Sequence, residues 1–201
     1  VKGLAESNGG IDPDELNRYV DRMSNIVEYQ LKRAAASRIS LVKDLVDVEE
    51  VFSRIVESLR KVYAAKEIQL HGDVSPALQF YGDQSDLYEL VGNIMDNACK
   101  WAQSQIRYTA KPVRGEKGGI RGIRILIEDD GPGVANDVRD LVMHRGIRAD
   151  QQVNGYGIGL AVSREIVDRY DGDIKIAQSD LGGAAINIDL KHSAELEPTT
   201  G

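Results

Sequence analysis

Apolar residues recur along this chain in two rhythms. Near its start Leu16, Val20, Met23 and Val27 follow at alternating steps of four and three, and Ala34 resumes the series after Gln30 interrupts it. That spacing predicts an amphipathic helix over 13–37 with a wide apolar stripe. Its heptad-like character suits a bundle or coiled-coil seam, with packing on the helix's own domain as the alternative. Asp12-Pro13-Asp14-Glu15 supplies the start, with Asp12 as cap, Pro13 in the first turn and Glu15 reaching back. From about residue 39 the pattern changes, which places a domain boundary there. A short strand is expected at 41–46, then a helix opened by Asp47 and carried by Val48, Val51, Phe52, Ile55, Val56, Leu59 and Val62. Short strands at 68–70 and 78–81 would flank a turn from Gly72 to Pro76.

A longer helix is predicted from Gln84 to Trp101, with Leu87, Leu90, Val91, Ile94 and Ala98 facing inward. Beyond it the rhythm becomes two-fold. Strands are expected near 106–110 and 123–128 around a turn from Pro112 to Gly119, the second with Ile123, Ile125 and Ile127 on one face. A helix from Ile158 should stop at Asp171-Gly172, and strands at 174–176 and 185–190 should flank a turn at 179–183. Residues 192–201 read as a frayed polar tail.

Composition narrows the function. The 201 residues carry a net charge of −7, so a general nucleic-acid binder is not expected. The single cysteine, Cys99, excludes an internal disulfide and falls within a helical apolar pattern, where a small buried residue is expected. No apolar run is long enough to span a bilayer, and no signal peptide or initiator Met is present. The chain therefore reads as an excised piece, and a membrane segment could have been cut away upstream.

Three stretches carry candidate chemistry. Gly155-Tyr156-Gly157-Ile158-Gly159-Leu160-Ala161 places three glycines at alternate positions before a helix. Such a turn aims unpaired N–H groups and a positive dipole end at a phosphate, although close helix packing would use the same residues. On the helix at 84–101, Glu89, Asn93, Asn97 and Lys100 form a second stripe at steps of four, four and three. A solvated face is the plain reading. Two asparagines one turn apart are poor helix formers, however, and amide oxygens for Mg²⁺ beside a cation for a phosphate would explain them. Glu128-Asp129-Asp130-Gly131-Pro132-Gly133 ends a strand in carboxylates and glycines, which suits hydrogen bonding to an exocyclic amine as well as it suits an acidic turn. Residues 134–154 would join the glycine motifs as a lid, with Arg145 and Arg148 available to phosphates, and Gly182-Gly183 would again approach the ligand.

Together these motifs resemble the ATP-binding domain of bacterial two-component sensor histidine kinases, and are similar to those of the PhoQ type. Asn93-Ile94-Met95-Asp96-Asn97-Ala98-Cys99-Lys100 is similar to the N box, Asp129 to Gly133 to the G1 box, Gly155 to Leu160 to the G2 box, and Leu181-Gly182-Gly183-Ala184 to the last glycine motif. The resemblance implies a two-layer α/β sandwich of the histidine kinase, gyrase and Hsp90 ATPase type, preceded by one long helix of a dimerisation hairpin. The hairpin helix would occupy 1–38, the ATP-binding domain 39–192 and a disordered tail 193–201. It further implies ATP and Mg²⁺ as ligands. Asn97, with Asn93, would hold the metal, Lys100 a phosphate, and Asp129 the adenine amine. Gly131, Gly133, Gly155, Gly157, Gly159 and Leu160 would line the nucleotide. Arg145 and Arg148 would face the γ-phosphate, and Glu89 would be an acid/base candidate. Trp101 stands where Tyr or His is common, placed to stack on the nucleotide or to fill the core.

Implied partners are a second copy in the full-length homodimer and a response-regulator receiver domain, with no nucleic acid and no direct membrane contact. The implied location is the cytoplasmic side of a bacterial inner-membrane protein. None of His71, His144 and His192 has the setting of the family's phosphoacceptor, so the acceptor is expected outside this chain. Two departures stand beside this: Met143 replaces a usual lid Phe, and Tyr156 a small or polar residue. The alternatives are a nucleotide-binding regulatory module without phosphoryl transfer and an ATP-driven clamp of the gyrase type.

Overall fold

The computed structural model describes residues 44–115, 118–134 and 158–196. The predicted first helix, the boundary near 39 and the predicted lid with Arg145, Arg148, Gly155, Tyr156 and Gly157 lie outside the described residues. The chain divides into units Val1–Ser40 and Leu41–Gly201, and every described residue belongs to the second.

Strand β1 (Asp44–Asp47) runs into helix α1 (Val48–Val62). Asp47 starts the helix as expected: its side chain accepts from Glu50 N at 3.1 Å. Glu49 and Glu50 in the first turn and Arg60 and Lys61 in the last complement the helix dipole. Strand β2 (Gln69–Val74) and strand β3 (Gln79–Gly82) follow. They do not form the small turn-linked pair that Gly72 to Pro76 predicted. β2 pairs in parallel with β4 (Gln105–Arg114), whereas β3 pairs antiparallel with β1. Gly72 lies inside β2 because the Tyr108 ring covers it; a Cβ there would meet Tyr108 Cζ at 2.2 Å. That ring in turn stacks on Phe52 of α1, with centroids 5.2 Å apart.

Helix α2 (Gln84–Trp101) occupies the predicted span. β4 and β5 (Ile120–Asp129) form a longer antiparallel pair than expected, with Pro112 opposite Ile123 instead of in the turn. The β2 ladder ends at Val74 and Ala110, so Pro112 interrupts no pairing on that side. Helix α3 (Ile158–Arg169) ends as Gly172 N reaches Val167 O at 2.9 Å, with Asp171 left-handed at φ 48°. Strands β6 (Asp173–Gln178) and β7 (Ala184–Leu196) complete a five-stranded mixed sheet in the order β2-β4-β5-β7-β6.

β7 runs five residues into what was predicted as tail. The reason is His192, which is buried with its ring 5.6 Å from Phe80 and accepts from Tyr81 N through Nε2 at 3.4 Å. Burial holds its imidazole pKa below the ordinary value.

The sheet has one dry face and one wet face. Ile106, Ile123, Ile125, Ile127, Ile174 and Ile188 are buried with Phe52, Leu87, Leu90, Ile94 and Ile166 of the helices. Each such side chain contributes about 1.5–3 kcal/mol by leaving water. The outer face carries cross-strand ion pairs, Arg107 with Glu128 at 2.7 Å and Arg124 with Asp189 at 2.6 Å. This is the two-layer α/β sandwich expected. Cys99 is buried, as its position on α2 predicts, and burial pushes its thiol up to about 11.

Asp47→Ala removes the α1 cap while leaving the apolar face intact. Urea unfolding should show a loss of about 1 kcal/mol with an unchanged denaturant slope; no loss would mean that the cap does not contribute.

Candidate functional site

Helix α2 is fixed at both ends, and its middle turns are what it presents. At the start, Asp83 accepts from Ser85 N at 2.7 Å. The last residue of α3 and the one after it close on Asp86: Arg169 Nη1 donates to Oδ1 at 2.5 Å and the Tyr170 hydroxyl to Oδ2 at 2.8 Å. At the other end, Lys66 Nζ donates to the carbonyls of Cys99 and Lys100 at 3.0 and 2.6 Å, a cation on the negative end of the helix.

Between these anchors α2 meets the ends of β5 and β7 and the first turn of α3 around a cleft that opens to solvent. Ala98, Leu160, Ile176 and Ile186 make apolar walls, and Trp101 stands beside them half exposed, at 49%. Trp101 is therefore not a core residue. Asn97 and Asp129 contribute the polar side chains, from facing elements, and Gly133 lines the same space. An apolar slot with a few convergent polar groups is the usual form of a small-molecule site.

Asp129 is only 5% exposed. Its Oδ1 accepts from Gly131 N at 2.9 Å and from Ala184 N at 3.2 Å. Among the described residues nothing donates to Oδ2. Burial pushes this carboxyl above the ordinary range; the two backbone donors oppose that shift, and the neighbouring Asp130 charge adds to it. The glycines around it make room for protein. A Cβ on Gly183 would lie 2.2 Å from Asp129 Oδ1, and one on Gly131 would lie 2.5 Å from the Trp101 carbonyl oxygen. Gly133, at φ 77°, has no such close neighbour; its nearest is Gly183 O at 3.5 Å.

Asp130 points the other way, as successive residues leaving a strand do. It accepts from Gln103 N at 2.8 Å, from Ser104 N at 3.1 Å and Ser104 Oγ at 2.6 Å, and from Gln105 N at 3.2 Å. Desolvation alone would push its carboxyl up, but these donors together outweigh it and hold the pKa down at about 2.

Of the other sequence-predicted residues, Asn93 is half-buried and adjoins Gly159 at the start of α3, where a Gly159 Cβ would lie 3.5 Å from Asn93 Cγ. Lys100 is turned to Asp96 at 2.5 Å, and Asp96 also receives the Tyr63 hydroxyl at 2.8 Å. Lys100 and Glu89 are exposed and do not line the cleft. The structure thus brings Asn97, Trp101, Asp129, Gly133 and Leu160 together, with Asn93 and Gly159 in contact nearby. Among the described residues no group of His, Cys, Asp and Glu is placed to hold a metal. Sequence reasoning did not assign Ile176, Ile186 or Asp130. The two isoleucines carry no signal that separates them from other strand residues. For Asp130, strand alternation was the available signal.

The family model for histidine kinase-, DNA gyrase B- and HSP90-like ATPases matches residues 82–194. The virulence sensor histidine kinase PhoQ of Salmonella typhimurium is 37% identical over 171 residues, covering 84% of this chain and 34% of the relative. The sensor protein PhoQ of Escherichia coli K12 is 35% identical over 178 residues, covering 87% and 35%. The chain thus spans about a third of the length of these curated relatives. The solved mycobacterial sensor histidine kinase MprB superposes with a TM-score of 0.62 at 28% identity, covering 78% of this chain and all of the other.

The Asp130 carboxylate is held below the unfolded range, near ~3.9. The stability it contributes is present above that range and is lost as pH falls through about 2. Thermal melts should therefore show Asp130→Asn less stable than the parent at pH 7, with the gap closing between pH 4 and pH 2; a gap that stays constant with pH would contradict the assignment.

Proposed function

The chain belongs to the family of histidine kinase-, DNA gyrase B- and HSP90-like ATPases, and from that we propose that its cleft holds ATP as the catalytic site of a sensor histidine kinase. The observation that carries the reading is the pairing of Asn97 and Asp129 across an apolar slot. The residues fit the nucleotide. Asp129 keeps one carboxylate oxygen free of protein donors among the described residues, which suits an adenine amine. Ala98, Leu160, Ile176 and Ile186 offer apolar surface to the base, and the exposed Trp101 is placed to stack on it.

Asn93 and Asn97 carry neutral amide oxygens one turn apart, a donor type that Mg²⁺ accepts. The metal would supply charge neutralisation to the phosphate oxygens. Lys100 would exchange Asp96 for a phosphate. Arg145 and Arg148, with Gly155 and Gly157, would complete the triphosphate end, Gly133 and Gly159 would leave room for backbone approach, and Glu89 would remain an acid/base candidate. At Gly131 the room is filled by the Trp101 carbonyl, so its part in nucleotide binding is to let the loop close on Asp129.

In the reaction an imidazole nitrogen bonds to the γ-phosphorus as the bond to the ADP oxygen breaks, a step governed by positioning and charge. The acceptor would be a histidine of the dimerisation domain. Of the histidines among the described residues, His71 is exposed on β2 and His192 is buried against Phe80, and neither lines the cleft. The PhoQ relatives support the rest of the reading. Residues 1–38 would form the second hairpin helix, the parent would be a homodimeric inner-membrane protein with this part in the cytoplasm, and a response regulator would receive the phosphoryl group.

Asp129→Asn keeps an acceptor for Gly131 and Ala184 but turns a donor toward the adenine amine. Calorimetry should show ATP affinity falling about tenfold to a hundredfold, with GTP gaining relative to ATP; an unaltered preference would contradict the adenine role. Mixing this chain with a separate acceptor hairpin and labelled ATP should yield a phosphohistidine on the hairpin, and Asn97→Ala should abolish it. Nucleotide binding without any labelled histidine would contradict the kinase reading.

A further inference from the structure

The end of α2 is joined to the strand that bears Asp129 by the β4–β5 ladder, which pairs Ile106 with Asp129, and ahead of that ladder by one carboxylate. After Trp101 the chain turns through Ala102 into Gln103, Ser104 and Gln105, and three successive backbone N–H groups converge with the Ser104 hydroxyl on Asp130. Three consecutive peptide donors on one anion form a built socket, beyond what a solvated surface carboxylate makes. The Ser104 carbonyl in turn accepts from Gln69 N at 2.8 Å, which ties the same turn to the sheet edge. On the other side of the β5 backbone, Asp129 faces the cleft, and the Trp101 carbonyl lies against Gly131. The two walls of the slot, Trp101 with Asn97 on α2 and Asp129 on β5, therefore share a base whose fastening is Asp130.

We propose that Asp130 is a positioning residue that sets the width of the adenine slot by fastening the α2–β4 turn to the end of β5. This rests on the ATP reading and deepens it. Asp130 touches no nucleotide; it acts through the separation of Trp101 from Asp129. Its effect accordingly falls on the base and is blind to the phosphate tail.

Asp130→Asn puts an amide nitrogen before donors and opens the clamp, whereas Ser104→Ala removes a single donor. Affinities for adenosine, ADP and ATP should all fall by a similar factor, about tenfold for Asp130→Asn, with Ser104→Ala between it and the parent. The ratio of ATP to GTP affinity should shrink in parallel. Trp101 is the only tryptophan of the chain, so its emission should shift to the red in Asp130→Asn before nucleotide is added. Arg124→Ala, which breaks the ion pair with Asp189 on the outer sheet face, serves as the control. It should lower the melting temperature and leave affinities, base preference and Trp101 emission unchanged. A folded Asp130→Asn protein with parental affinity and base preference would overturn the inference and leave the ATP reading standing. A loss confined to ATP would also overturn it. A parent chain that binds no adenine nucleotide would overturn both.

Discussion

A carboxylate that leaves water must be given hydrogen bonds, and the architecture around the cleft follows from meeting that demand at Asp129. An ionised acceptor bonded to backbone N–H groups is stabilised by about 1.5–3 kcal/mol per bond, and an unpaired one buried in the same place is penalised by more. Two donors, Gly131 N and Ala184 N, reach one oxygen. They can do so only because Gly131 and Gly183 have no side chains, as a Cβ on either would strike Asp129 or the Trp101 carbonyl. The glycine motifs at the ends of β5 and before β7 are thus parts of one device. They close the backbone around an acid that burial keeps above the ordinary carboxylate range.

The helix opposite is held with comparable economy. Asp86 anchors the start of α2 to Arg169 and Tyr170, Lys66 covers its last carbonyls, and Asp130 fastens the turn beyond. With both ends occupied, the middle of the helix can present asparagines that its own propensity does not favour. The apolar residues behind them, Leu87, Leu90 and Ile94, bind the helix to the sheet. Fold stability and site geometry therefore rest on different residues of the same element, the usual condition for a precise site on a rigid scaffold.

Much of this was legible in the residues. The cap at Asp47, the span of α2 and the alternation of Ile123, Ile125 and Ile127 are local, and local rules found them. The motif order from Asn93 to Gly183 pointed to one pocket, and Asn97 and Asp129 do line one cleft. What sequence could not give was non-local. Gly72 looked like a turn because the ring that replaces its side chain comes from Tyr108, a residue 36 positions later (108 − 72). Pro112 looked like a strand end because the early stop of β2 is a property of the neighbouring strand. His192 looked like tail because its partners, Phe80 and Tyr81, lie far upstream. The Lys100–Asp96 pair is local by contrast, four positions apart on one helix, and the stripe through Glu89, Asn93, Asn97 and Lys100 left Asp96 out.

The central claim is that adenine lies between α2 and the end of β5, against Leu160 and Ile186, with its amine at Asp129. Nuclear Overhauser contacts between nucleotide and protein measure this directly. With ATP bound, the adenine ring protons should show contacts to the methyl groups of Leu160 and Ile186 and to the indole of Trp101. Ring contacts to other surfaces, with these three side chains silent, would contradict the account.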